Sequence, residues 1–285
     1  MEGLRNGPQP LLGPAGTTVE LRVLGPDWLA RTIFATRPPY PCVDTIGQAL
    51  VDVRVSPKHI ARSHRLDGGW GYLRVSTFMP RRPSSVMAAF DAALDSLLDA
   101  PGLVLDLRGN GGGYLKAMGD IAGRFLADPD TLGYYQRRPH AEKVDFSAWD
   151  PAESDDDLRA ALTASPGERI YRGPLVVLID RSCFSACEGL AGALQLLGRA
   201  KVIGSPSGGG SGVAAFIELP SGAIISMSWS VFWLPDGRLI EGRGITPDIF
   251  VTNHRKDWMD GYDRVLARAL RELTGEISVS SNRPR

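Results

Sequence analysis

The residues best suited to chemistry lie in DRSCFSACEGLAGAL, residues 180–194. The apolar run PLVVLID (Pro174 to Asp180) reads as a strand, a short turn follows, and a small-residue helix is expected to begin near Ser185. Free backbone N–H groups and the dipole at a helix start stabilise developing negative charge. Ser185 therefore reads as a nucleophile, with the Ala186 N–H as one oxyanion donor. A serine at this position also serves as a plain helix cap, and from the local pattern alone the cap is the commoner role. Cys183 and Cys187 are rival nucleophiles, but neither has a histidine nearby in sequence, and each reads more simply as a small core residue.

A second segment, LVLDLRGNGGGYL, runs from a strand into Arg108-Gly109-Asn110-Gly111-Gly112-Gly113 and then into a helix. Glycines at a strand end permit positive φ and let backbone amides come close to a ligand. The spacing matches neither a Walker phosphate loop nor the dinucleotide G-x-G-x-x-G pattern. One reading is a second oxyanion donor, Gly111 or Gly112, brought beside Ser185 at the same sheet edge. The plainer reading is a tight turn.

The elements that must position these segments follow from periodicity. From Gly69 onward strands and helices alternate: GWGYLRVSTF, then a helix in PSSVMAAFDAALDSLLDA whose buried face is Val86, Ala89, Phe90, Ala93, Leu94 and Leu97. LVLDL, PLVVLID and AKVIG are short, nearly continuous apolar runs, as expected of strands covered on both faces. Such alternation predicts an α/β fold with a mostly parallel sheet flanked by helices. VAAFIELPSG and AIISMSWSVFWLP predict an antiparallel hairpin over 213–234, and a last helix is expected over Trp258 to Leu273, ending at Thr274-Gly275. Residues 128–168 read as a polar excursion from the sheet, and SVSSNRPR as a frayed tail. Near the N-terminus, Val19, Leu21 and Val23 share one face, with Ile33 across a turn at Gly25-Pro26-Asp27.

Composition sets the outer bounds. The 285 residues are 43% hydrophobic and 22% charged, with 32 basic against 32 acidic side chains, which argues against nucleic-acid binding through a broad basic surface. No apolar run approaches the roughly 20 residues of a membrane-spanning helix, and MEGLRNGPQP lacks the apolar core of a signal peptide. Three cysteines do not make a disulfide framework. No histidine, cysteine or acidic cluster has metal-ligand spacing, and no cofactor is implied.

Four blocks taken in order carry a family resemblance: GWGYLRVSTF, LVLDLRGNGGG, PLVVLIDRSCFSACEGLAGALQLLGRAKVIGSPSGG and LPDGRLIEGRGITPDIFV. Over about residues 69 to 252 the chain resembles the C-terminal processing, or tail-specific, serine peptidases and their tricorn-core relatives. The resemblance implies a ClpP/crotonase-like peptidase core over 69–275 and places the family's nucleophile pattern on Ser185-Ala186-Cys187-Glu188. It also implies that residues 1–40 are the closing half of a PDZ-like module, with 41–68 a linker and 276–285 a disordered tail.

A serine hydroxyl needs a base within hydrogen-bond reach. In the bacterial tail-specific branch that base is a lysine after the nucleophile, and aligning GSPSGGGSG with its stretch puts Gly210 at that position. The resemblance thus favours the tricorn-like branch, which uses a histidine from a segment ahead of the PDZ module, expected here upstream of Met1. Glu241 in IEGRGITPD matches that branch's supporting carboxylate. His59 and His64 both read as solvated linker histidines, with His64 the first candidate should an internal base exist; His140 and His254 read as loop residues. The expected activity is hydrolysis of peptide bonds in unfolded or C-terminal segments of a polypeptide substrate, incomplete without the base. The alternative is a non-catalytic binding protein on the same core, with Ile224, Trp229, Phe232 and Trp233 lining an apolar site. Family precedent places such proteins in the bacterial periplasm or envelope.

Overall fold

The computed structural model describes residues 18–24, 30–36, 60–79, 84–137, 159–218 and 223–275. The chain divides into two units, Met1–Val53 and Arg54–Arg285. In the first, β1 (Thr18–Leu24) and β2 (Ala30–Thr36) pair antiparallel with Leu21 opposite Ile33, the register that their alternation predicts. The Gly25-Pro26-Asp27 turn and the rest of the expected PDZ-like segment fall outside the described residues, as do Cys42, His59, His140 and the tail.

The second unit contains, in chain order, β3 (Ala61–Arg65), β4 (Gly71–Val75), α1 (Ser84–Asp95), β5 (Leu103–Asp106), α2 (Leu115–Ala122), β6 (Asp130–Arg137), β7 (Arg159–Ala164), β8 (Leu175–Ile179), α3 (Ala186–Leu196), β9 (Lys201–Gly204), β10 (Ala214–Glu218), β11 (Ile224–Ser228), β12 (Ser230–Trp233), β13 (Ile249–Phe250), α4 (Arg255–Met259) and α5 (Arg264–Thr274). Six strands form the main sheet in the order β13-β9-β8-β5-β4-β3. Its neighbours run parallel except β3, which is antiparallel to β4.

Every residue of β5 and β8 is buried, because helices cover the sheet on both sides. One face carries the larger core, in which the predicted stripe of α1 packs with Met118 and Ile121 of α2 and Leu190 and Leu194 of α3. Tyr72, Val104, Val176, Leu178 and Ile203 point to the other face, against Val265 and Ala269 of α5. Among the described residues, no helix is long and apolar enough to cross a membrane.

Four expectations change. Residues 61–65, expected within a linker, form the edge strand of the main sheet; ARSHR is polar and half exposed, so it carries no apolar alternation to read. The expected hairpin is present as β10 and β11, but at Trp229 the chain leaves it, and β12 pairs instead with β6. The 128–168 excursion contributes β6 and β7, which with β12 make a separate three-stranded sheet. The final helix breaks into α4 and α5 around Gly261, whose φ is +67°, and Asp263 starts α5 by accepting the Leu266 N–H at 3.1 Å.

Asp263 also fixes α5 to the sheet. Arg108 reaches it through two hydrogen bonds, of 3.0 and 2.8 Å, and reaches the fully buried Asp106 through two more, of 2.9 and 2.7 Å. Tyr72 donates to the same Asp106 at 2.5 Å, and burial, with the neighbouring carboxylate adding to it, pushes the Tyr72 hydroxyl up to about 12. Removing Arg108 leaves buried Asp106 with only the Tyr72 hydroxyl and the more distant Arg74, so Arg108→Ala is expected to lose about 3 kcal/mol in urea unfolding. A second prediction concerns acid. Hydrogen bonds from Arg264 and from the His254 N–H hold the Asp257 carboxyl at about 2 instead of 3.8. Between those values the unfolded chain binds the extra proton, so stability rises with pH there and is lost as pH falls. Asp257→Asn should flatten stability against pH between about 2 and 4, measured by thermal unfolding.

Candidate active site

Three loops meet beyond the carboxyl ends of the central strands: 107–113 after β5, 180–185 after β8 and 205–212 after β9. Asn110, fully buried, joins the first two. Its Nδ2 donates to the Val75 carbonyl at 3.1 Å, its Oδ1 accepts the Gly112 N–H at 2.8 Å, and its own carbonyl accepts the Phe184 N–H at 3.2 Å. Asp180 Oδ1 accepts from Gly109 N and Ser182 N at 3.0 and 2.9 Å, adding a second tie. The Cys183 and Cys187 thiols both reach the Leu107 carbonyl, at 3.0 and 3.7 Å. Both are fully buried, and burial raises the Cys187 thiol well above its ordinary value, so they serve as core residues rather than nucleophiles.

Ser185 stands at the mouth of α3 with φ +56° and ψ −127°, and is the single non-glycine residue of positive φ among the described residues. Strain of this kind persists only where surrounding contacts impose it. It is the geometry of a sharp strand-to-helix elbow that presents a side chain outward. Here the Ser185 N–H donates both to the Gly210 carbonyl at 2.8 Å and to Glu188 Oε2 at 2.9 Å. Gly112 closes the other side: a Cβ there would lie 2.5 Å from the Phe184 carbonyl oxygen, 2.7 Å from Ser185 Cβ and 3.0 Å from Ala186 N. Glycine is required because the two backbones touch, and φ at this position is +88°.

Glu188 is the hub on the opposite side. It is fully buried and accepts four hydrogen bonds, from Ser185 N, from Gly210 N at 3.1 Å, from Gly209 N at 2.7 Å and from Ser207 Oγ at 2.6 Å. Burial outweighs these donors and leaves the carboxyl above its ordinary range. Ser207 Oγ in turn accepts the Ile245 N–H at 2.6 Å. The signal for this role was the Ser-x-x-Glu spacing of a capping box, in which the glutamate folds back onto the serine N–H. Its reach to residues 207–210 had no local signature.

The expected residues separate into two groups. Ser185, Ala186, Gly111 and Gly112 come together at one edge of the sheet. Gly112 abuts the serine, but its N–H is directed to Asn110 Oδ1; Gly111 has open space around it, and Ala186 opens α3, where amides lack helical partners. Glu241 lies one loop further out. Its Oε2 accepts from Ser211 N at 2.7 Å and Ser211 Oγ at 2.9 Å, and Ser211 Oγ accepts the Phe232 N–H at 3.1 Å. The carboxylate therefore orients the 207–212 loop, and no histidine is bonded to it among the described residues. His64 is not brought to the serine. It sits opposite Tyr72, near the start of β4 on the sheet edge, and its ring lies against that of Tyr72, tilted by 39° at 4.8 Å between centroids. His254 precedes α4. Lys116 pairs with Asp120 and Lys201 with Glu272. In the place of the aligned lysine, Gly210 lies under the Phe184 ring, 3.0 Å from where its Cβ would be.

Comparison with known proteins agrees with this architecture. A carboxy-terminal-processing protease of Bartonella bacilliformis is 31% identical over 219 residues, which cover 76% of this chain and 46% of the relative. The chain thus spans about half the length of that relative. The structure of the photosystem II D1 C-terminal processing protease superposes with a TM-score of 0.56 at 26% identity, over 84% of this chain and 57% of that one. The tricorn protease shares the fold at a TM-score of 0.50 and 17% identity, over 92% of this chain and 22% of that one. The sequence model of peptidase family S41 matches residues 69–251, the stretch that carries the main sheet apart from β3, the Ser185 elbow and the glycine loops, and the chain belongs to that family.

Proposed function

We propose that this chain is the core of a serine peptidase that hydrolyses peptide bonds in C-terminal or unfolded segments of polypeptides. The observation that carries the reading is the strained Ser185 at the mouth of α3, in van der Waals contact with Gly112. In this reading the Ser185 hydroxyl attacks the scissile carbonyl, and the oxyanion forms against the Ala186 N–H and the Gly111 N–H, since the Gly112 N–H is held by Asn110. Glu188 and Glu241 are positioning residues: one holds the serine backbone and the 207–210 loop, the other holds Ser211. The proton acceptor comes from outside the contacts described above, as a histidine carried by another segment. The apolar-binder alternative loses two of its four lining residues, because Phe232 and Trp233 are buried in the core, where the indole donates to Gln136 at 2.7 Å.

Three outcomes test the reading. A fluorophosphonate probe should label Ser185 weakly in the 285-residue chain and strongly in a form extended at its N-terminus; strong labelling of the shorter form would place the base inside it. Digestion of a C-terminal peptide by the active form should fall by at least about a thousandfold in Ser185→Ala. Retained cleavage would exclude the serine. Glu188→Gln turns an amide nitrogen toward backbone N–H groups. It should cost about 1–3 kcal/mol for each donor left unsatisfied, read in urea unfolding, and should slow probe labelling even where the variant remains folded.

A further inference from the structure

A cavity of about 850 Å³ opens at the same carboxyl edge of the main sheet, on the face covered by α5, and neither Ser185 nor any glycine of the 111–113 run lines it. That volume lies within the roughly 300–1,000 Å³ of small-molecule sites, and the carboxyl edge of a parallel sheet is where such ligands bind. Four arginines line it, Arg62, Arg74, Arg108 and Arg181, against two carboxylates, Asp180 and Asp263. Arg108 is committed to Asp106 and Asp263 and forms a rigid, neutralised floor. Arg74 donates to the Arg108 carbonyl at 3.1 Å and stands 3.5 Å from Asp106. Arg62, on β3, and Arg181, on the turn before the serine, make no hydrogen bond or ion pair among the described residues. Asp180 lines the cavity as well but makes no ion pair with either of them; its Oδ1 accepts from two backbone N–H groups. At the rim, Trp258 is 66% exposed and also lines the cavity.

We infer that this cavity binds a small organic phosphate with a planar ring, the phosphate between Arg62 and Arg181 and the ring against Trp258. Two uncommitted guanidinium groups on separate elements suit a tetrahedral dianion, which offers acceptors in several directions; a carboxylate is satisfied by one guanidinium fork. An exposed indole adjoining a polar cavity supplies the flat apolar contact. The inference does not depend on the peptidase reading.

The test is calorimetric titration of the full chain with phenyl phosphate at low salt. Saturable binding at one site is expected, weakened at least about tenfold in Arg62→Ala and in Arg181→Ala and further in the double variant. Trp258→Ala should weaken phenyl phosphate but leave methyl phosphate unchanged, and benzoate should bind more weakly than phenyl phosphate. Variants are compared only where their circular dichroism matches the parent. Absence of saturation at up to about 10 mM phenyl phosphate, the equivalent of less than about 3 kcal/mol of binding, would overturn the inference. So would affinity unchanged in a folded Arg62→Ala/Arg181→Ala double variant.

Discussion

One carboxylate organises the candidate catalytic edge. Glu188 sits without solvent contact among Ser185 N, Ser207 Oγ, Gly209 N and Gly210 N, and so binds the start of α3 to a loop some twenty residues later. Burying a carboxylate is unfavourable unless donors converge on it. Here they come from two chain segments, and neither segment can move without stranding the charge. The unfavourable backbone of Ser185 is retained because this network and the Gly112 contact leave the residue no other position.

The sheet supplies the frame for that network. Parallel strands β5, β8 and β9 end at a common edge, so the loops that follow them emerge side by side although they are far apart in sequence. Asn110 and Asp180 fasten the first pair of loops through backbone groups, and Glu188 and Glu241 fasten the third. Each fastener is a short polar side chain meeting main-chain donors or acceptors. Such bonds fix backbone position more tightly than contacts between long flexible side chains. On the opposite layer, the Asp106–Arg108–Asp263 chain performs the equivalent task for α5.

Much of this was legible in the sequence where periodicity and punctuation were strong. The buried stripe of α1, the unbroken apolar runs of β5 and β8, and the glycine ending α5 are local signals, and the structure follows them. The Ser185 elbow was legible as a strand, turn and small-residue helix, and four ordered blocks favoured a nucleophile over an ordinary cap. What escaped was tertiary in origin. β3 is a polar edge strand defined by its partner β4. The departure of β12 from its expected hairpin is set by pairing with β6 across a hundred residues. Asn110 looked like a turn residue, because only the folded arrangement brings Val75 and Phe184 within its reach. His64 reads in sequence as a linker histidine and the first suspect for an internal base, but the antiparallel pairing of β3 sets it opposite Tyr72.

The Phe184 ring bears on which side chains the facing loop can carry. It lies over Gly208, where an added Cβ would fall 2.0 Å from its Cζ, and touches the position a side chain at 210 would occupy. A long amine at 210 therefore requires the aromatic neighbour, which is 39% exposed, to turn aside. The ring thus holds the loop that faces the elbow to glycine at 208 and crowds any side chain at 210.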